Sequence, residues 1–130
     1  MFVARDSKGN LVNALEKDVT KQDYTCPACG GRLRLRQGQS IRTHFAHESL
    51  RDCMAIFENE SSEHLGNKEV LYHWAKKDNQ VAVEYSLPAI QQIADVLVNE
   101  KLALEVQCSP LSQKLLCDRS QGYRSQGYQV

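Results

Sequence analysis

The sequence predicts a mixed α+β or α/β chain in two parts: a small β-rich module organised around a metal, then an αβββα core. Three observations carry this. Cys26-x2-Cys29 and His44-x2-His47 flank a glycine-bearing segment in which basic and apolar residues alternate. From about residue 61 the apolar period changes from two to 3.6. Three short apolar runs, 81–87, 92–98 and 102–107, then stand between two helical patterns.

Residues 1–16 read as a hairpin, FVA and LVNAL around the turn-rich Asp6-Ser7-Lys8-Gly9-Asn10. Arg32-Leu33-Arg34-Leu35-Arg36 is a strand with one basic face. Residues 48–60 are polar and linker-like, which divides the chain into 1–57 and 58–130. On a helical wheel Leu65, Leu71, Tyr72 and Ala75 form one stripe over residues 60–77. His64 and Lys68 fall inside that stripe and Glu60 borders it, so a polar Glu-x3-His-x3-Lys line faces inward. VAVEYSL, QIADVLV and LALEVQ read as strands, and residues 111–124 as a second helix. Tyr128-Gln129-Val130 stands where a fourth strand would begin, so the core is expected to be truncated there.

Sixteen basic and sixteen acidic residues cancel over 130 positions, but unevenly. Residues 1–57 carry nine basic and six acidic groups, 58–110 four and nine, and 111–130 three and one. An acidic centre between basic flanks suits a divalent cation with phosphate nearby better than it suits a plain nucleic-acid binder. No uncharged apolar run approaches the roughly 20 residues of a membrane helix. Arg5 and Asp6 interrupt the start where a signal peptide would be apolar. The expectation is a soluble cytoplasmic protein without a membrane partner.

Five cysteines without a secretory signal argue for metal before disulfides. Cys26, Cys29, His44 and His47 supply four ligands of the type Zn²⁺ takes, two pairs brought together by a hairpin. Gly30 and Gly31 would let the backbone turn its amides toward the thiolates. A redox dithiol is the competing reading of Cys26-Pro-Ala-Cys29, but such a motif opens a helix, and two glycines follow Cys29. Cys53, Cys108 and Cys117 are expected to be free, with Cys108 buried past the third strand of the core.

Asp95 and Glu105 interrupt two apolar strands. A lone buried carboxylate is costly, and two on adjoining strands share a cost that a divalent ion removes. Parity decides whether they meet. With a two-residue loop they point to opposite faces; with Asn99-Glu100-Lys101 as a three-residue loop, Val98 pairs with Leu102 and Asp95 lies opposite Glu105, about 5 Å away. Gln107 shares that face, and a residue near Asn99 should take φ > 0. Without metal, repulsion should raise one carboxyl pKa. On this reading Asp95→Asn should stabilise the metal-free chain.

Asp95…Glu105-x-Gln107, after a helix bearing Glu and before another helix, resembles the PD-(D/E)xK nuclease superfamily. CPACGGRLRLRQG…THFAHES, NESSEHLGNKEVLYHW and IADVLV…ALEVQCSPLS…R-x3-Y together resemble the competence protein CoiA family, from about residue 2 to the end. The resemblance implies a restriction-endonuclease-like core behind a zinc-ribbon-like module. It also implies a role in bacterial natural transformation, acting on incoming DNA around recombination proteins. Residue by residue, it implies that Asp95 and Glu105 bind Mg²⁺ or Mn²⁺ and that Gln107 takes the position where Lys is commoner. Glu63 with His64 would be the first helix's contribution, although the wheel prefers Glu60. Arg119 and Tyr123 would face the substrate. Ala94 stands for the usual Pro, and the neutral Gln107 cannot supply positive charge to a phosphoryl transition state. The implied activity is a Mg²⁺-dependent deoxyribonuclease; the alternative is an inactive zinc-containing DNA-binding or recombination adaptor that keeps the fold.

Overall fold

The computed structural model describes residues 1–49, 53 and 60–130. Most of the stretch expected as a linker, 48–60, lies outside the described residues. The chain forms two compact units, Met1–Glu58 and Asn59–Val130. Among the described residues no helix is long and apolar enough to cross a membrane.

The first unit is a five-stranded antiparallel sheet ordered β2-β1-β3-β4-β5, with β1 Val3–Arg5, β2 Leu11–Asn13, β3 Tyr24–Thr25, β4 Arg32–Gly38 and β5 Ile41–His47. The expected N-terminal hairpin forms, with Val3 opposite Asn13. Its turn is held by the Asp6 carboxylate, which accepts from the Lys8 and Asn10 amides at 2.9 Å each. In β4 and β5 the direct pairs are Leu33 with His47, Leu35 with Phe45 and Arg36 with His44. Directly opposed residues share a face. Leu33, Leu35, Phe45 and His47 therefore lie on one side, and Arg34, Arg36 and His44 on the other. The first side packs on Met1, Ala4, Val19, Tyr24 and Cys26. The Tyr24 and Phe45 rings are 4.7 Å apart, tilted at 55°.

The second unit begins with α1, Ser62–Ala75, capped by the Ser61 hydroxyl, which accepts from the His64 amide. Leu65, Lys68, Tyr72 and Ala75 are its buried residues, on the stripe expected, while Leu71, expected with them, is half-buried. A three-stranded antiparallel sheet follows, ordered β6-β7-β8: Val81–Leu87, Gln92–Val98 and Leu102–Leu104. Val98 pairs with Leu102, so Asn99-Glu100-Lys101 is the three-residue connection that parity requires. Asn99 and Glu100 have φ of 48° and 57°. The Asn99 side chain fastens the turn, accepting from the Gln80 amide at 3.0 Å and donating to Asn79 at 2.8 Å.

The strand expected through residue 107 stops at Leu104. The Val106 amide turns instead to the Asp95 carboxylate, Oδ2 at 2.9 Å, and leaves the ladder. Helix α2, Gln113–Ser125, then buries Tyr123 against Leu87, Ala94, Leu97 and Ala103. Gln129 makes a parallel bridge to Leu102, where the start of a fourth strand was expected.

Candidate metal centre and nuclease-like site

In the first unit Cys26, Cys29, His47 and Cys53 bring one ligand atom each within 4.8 Å of one another. Cys29 Sγ lies 3.5 Å from His47 Nε2. Tetrahedral Zn²⁺ with bonds of about 2.3 Å to sulfur and 2.05 Å to nitrogen sets that edge at about 3.6 Å. A tight turn presents the thiolates: the Gly30 amide donates to the Cys26 carbonyl at 2.9 Å, and Gly30 has φ of 71°. The Gly31 amide donates to Cys29 Sγ at 3.3 Å, and a Cβ at Gly31 would stand only 3.2 Å from that sulfur. Burial raises the Cys26 thiol pKa, a cost that a bound cation would reverse. The donor set, three thiolates and an imidazole, suits zinc.

His44, expected as the fourth ligand, is outside this group, and Cys53, expected to be free, takes its place. The reason is strand parity. Residues 44 and 47 are three apart on β5 and so face opposite ways; His44 sits beside Arg36 on the basic side and donates from Nδ1 to the Arg42 carbonyl at 2.7 Å. Cys108, expected to be buried, is exposed because β8 ends before it.

In the second unit, the line on the buried side of α1 meets the sheet. His64 Nε2 lies 3.4 Å from Asp95 Oδ1 and 3.9 Å from Glu60 Oε1. Lys68 donates to Glu60, to Glu84 Oε1 at 3.0 Å, and meets Asp95 Oδ1 at 3.0 Å. Glu60, His64 and Asp95 form a second group able to hold a cation. Glu63, the candidate implied by the resemblance, is exposed on the first turn of α1; a residue three beyond Glu60 is turned some 60° off the inward line.

Val96 lies opposite Leu104 at the end of β8, and Asp95 and Glu105 are the next residues along, near enough for the Asp95 charge to act on Glu105. Burial pushes Glu105 up to about 7, reinforced by the Asp95 charge and opposed by Tyr123 and Arg119. The Tyr123 hydroxyl donates to Glu105 Oε1, and Arg119 reaches Oε2 at 3.6 Å. Burial works to raise Asp95 as well, but the His64 hydrogen bond, the Lys68 charge and the Val106 amide hold it below the usual carboxylate value. The hydrogen bond to Asp95 raises the His64 pKa. Asp95 is thus held in its charged form by three partners, so Asp95→Asn would forfeit their interactions instead of relieving repulsion; Glu105 is the carboxylate that carries the repulsion. Gln107 is exposed, and its amide donates to the Ser109 carbonyl at 2.7 Å while its oxygen accepts from Arg119 at 3.5 Å. Glu84, buried on β6, was missed in the sequence; its only sign there is a carboxylate inside the run VAVEYSL.

The family model for the N-terminal domain of competence protein CoiA matches residues 8–55, and the model for its nuclease-like domain matches residues 60–130. Competence protein CoiA of Bacillus subtilis (strain 168) is 32% identical over 113 residues, covering 84% of this chain and 30% of that protein. The chain therefore spans about 30% of the length of the curated relative it matches. No solved structure matches it. With both halves matched in order, and the second match alone covering more than half of the residues, the chain belongs to the competence protein CoiA family.

Proposed function

We propose that the second unit is a restriction-endonuclease-like, PD-(D/E)xK-type core that cleaves DNA with Mg²⁺ or Mn²⁺ during bacterial transformation. The observation that carries this is the proximity of Asp95 and Glu105, the residues just past the Val96–Leu104 pair, with His64 and Glu60 grouped around Asp95. Oxygen donors in this number suit Mg²⁺ or Mn²⁺, and the imidazole tilts the choice toward Mn²⁺. Asp95 and Glu105 would hold the ion, which when bound supplies Lewis acidity toward a phosphoryl oxygen and lowers the pKa of water. Tyr123 and Arg119 fix the orientation of Glu105, and a bound divalent ion would keep it ionised. His64 and Lys68 keep Asp95 ionised and in place.

In the first unit a structural zinc on Cys26, Cys29, His47 and Cys53 would fix the end of the β4–β5 hairpin. Arg32, Arg34 and Arg36, exposed on the outer face of β4, would meet the phosphate backbone. A second reading, DNA binding without cleavage, is favoured by Gln107, whose neutral amide is engaged with Ser109. Incubating the zinc-loaded chain with single- and double-stranded DNA, with and without Mn²⁺, separates the two. Mn²⁺-dependent cleavage lost in Glu105→Ala supports the nuclease; binding without cleavage at any Mn²⁺ concentration supports the adaptor.

A further inference from the structure

Lys68 is an unusual core residue. Its side chain is 1% exposed, on the inward stripe of α1. The ammonium has three protons to donate. Three carboxylates surround it: Glu60 Oε1 and, at 3.0 Å, Glu84 Oε1 accept hydrogen bonds, and Asp95 Oδ1 pairs with it at 3.0 Å. These acids come from three different elements, the segment before α1, strand β6 and strand β7. Burying one ammonium requires one good counter-ion, not three, and each extra carboxylate adds its own desolvation cost.

Backbone strain accompanies the arrangement. Glu84 has φ of 52° in mid-strand, a conformation that non-glycine residues disfavour. The ladder pairs Val83 with Val96 and Tyr85 with Ala94 on either side of it, with no Glu84–Asp95 pair between. That twist accompanies a Glu84 carboxylate 1% exposed and bonded to Lys68.

Three carboxylate oxygens converging on one point, with an imidazole alongside, is a cation cage of the kind that elsewhere holds a divalent ion. Here the cation is part of the chain. We propose that the Lys68 ammonium fills the place of a divalent ion between Glu60, Glu84 and Asp95, and so acts as a positioning residue that limits the centre to a single exchangeable ion at Asp95 and Glu105.

This inference rests on the nuclease reading only for the ion at Asp95 and Glu105. The test counts ions instead of products. The zinc-loaded full chain is titrated with Mn²⁺ alone and bound Mn²⁺ is counted by electron paramagnetic resonance; Mn²⁺ does not displace zinc from thiolates. Wild type and Lys68→Arg should bind one Mn²⁺, and Lys68→Ala two. Lys68→Ala should melt below wild type without divalent ions and recover more than wild type does when Mn²⁺ is added, because the ion replaces the missing charge. Adding Glu84→Gln to Lys68→Ala should abolish the second ion. Zero ions in wild type with one in Lys68→Ala would support the internal cation while overturning the ion at Asp95 and Glu105. Two ions in wild type, no additional ion in Lys68→Ala, or failure of Lys68→Ala to fold even in millimolar Mn²⁺ would overturn the proposal.

Discussion

Glu105→Gln should make the ion-free chain more stable, and only above a definite pH. The carboxyl titrates at about 7 in the folded chain against an ordinary 4.5, because burial and the facing Asp95 charge both penalise ionisation. The folded state therefore holds this proton after the unfolded chain has lost it. As pH rises from 4.5 toward 7 the unfolded state ionises Glu105 while the folded state resists. Stability falls through that window, and above 7 the full loss has accrued. A displacement from 4.5 to about 7 corresponds to roughly 3 kcal/mol. The replacement amide would have nearly the same shape as the carboxyl and would still accept from the Tyr123 hydroxyl. The substitution removes the repulsion and gives up one ion pair to Arg119, whose attraction is already contained in that displacement. Urea unfolding of zinc-loaded wild type and variant, without Mg²⁺ or Mn²⁺, at pH 4.5 and pH 8 measures the difference. The curves should nearly coincide at pH 4.5, with the variant ahead by about 2–3 kcal/mol at pH 8. A gap independent of pH, or a wild type that is ahead at pH 8, would refute the reasoning. Adding Mn²⁺ at pH 8 should close the gap by stabilising the wild type alone.

Cys53→Ser should bring zinc content well below one per chain, whereas His44→Ala should leave it at one, as read by elemental analysis. In Mn²⁺-dependent cleavage, Glu60→Gln should lower the rate by about 10–100-fold, and Glu63→Gln should leave it unchanged. Replacing Arg32, Arg34 and Arg36 with Gln should weaken DNA binding uniformly across sequences and flatten the plot of log affinity against log salt by about 2.7, measured by fluorescence anisotropy.

Much of this architecture is legible along the chain because it depends on local periodicity. The helix at Ser62–Ala75 and the strands Val81–Leu87 and Gln92–Val98 follow from spacing of apolar residues and from the Ser61 cap. The approach of Asp95 and Glu105 is also local: with Asn99-Glu100-Lys101 as the loop, the ladder runs to Val96 opposite Leu104 and brings the next two residues close. The inward Glu60-His64-Lys68 line is a matter of helical pitch, and it indicated Glu60 over Glu63 without any knowledge of the sheet.

Tertiary structure decided which of the competent side chains are used. His44 and His47 have equal claims as ligands in sequence, and only the β4–β5 register, with Leu33 opposite His47, puts His47 on the side of Cys26. Cys53 follows His47 by six residues, outside the paired x2 spacing, and nothing in the sequence marks it as a ligand. Glu84 required a φ of 52°, a conformation that strand propensity disfavours. Lys68 could be seen to face inward but not to meet three acids, since two of those arrive on strands 16 and 27 residues later. Local pattern fixes the direction in which a side chain leaves its own element. Which groups await it depends on the packing of elements distant in sequence, and for buried charges that packing determines protonation, metal affinity and role.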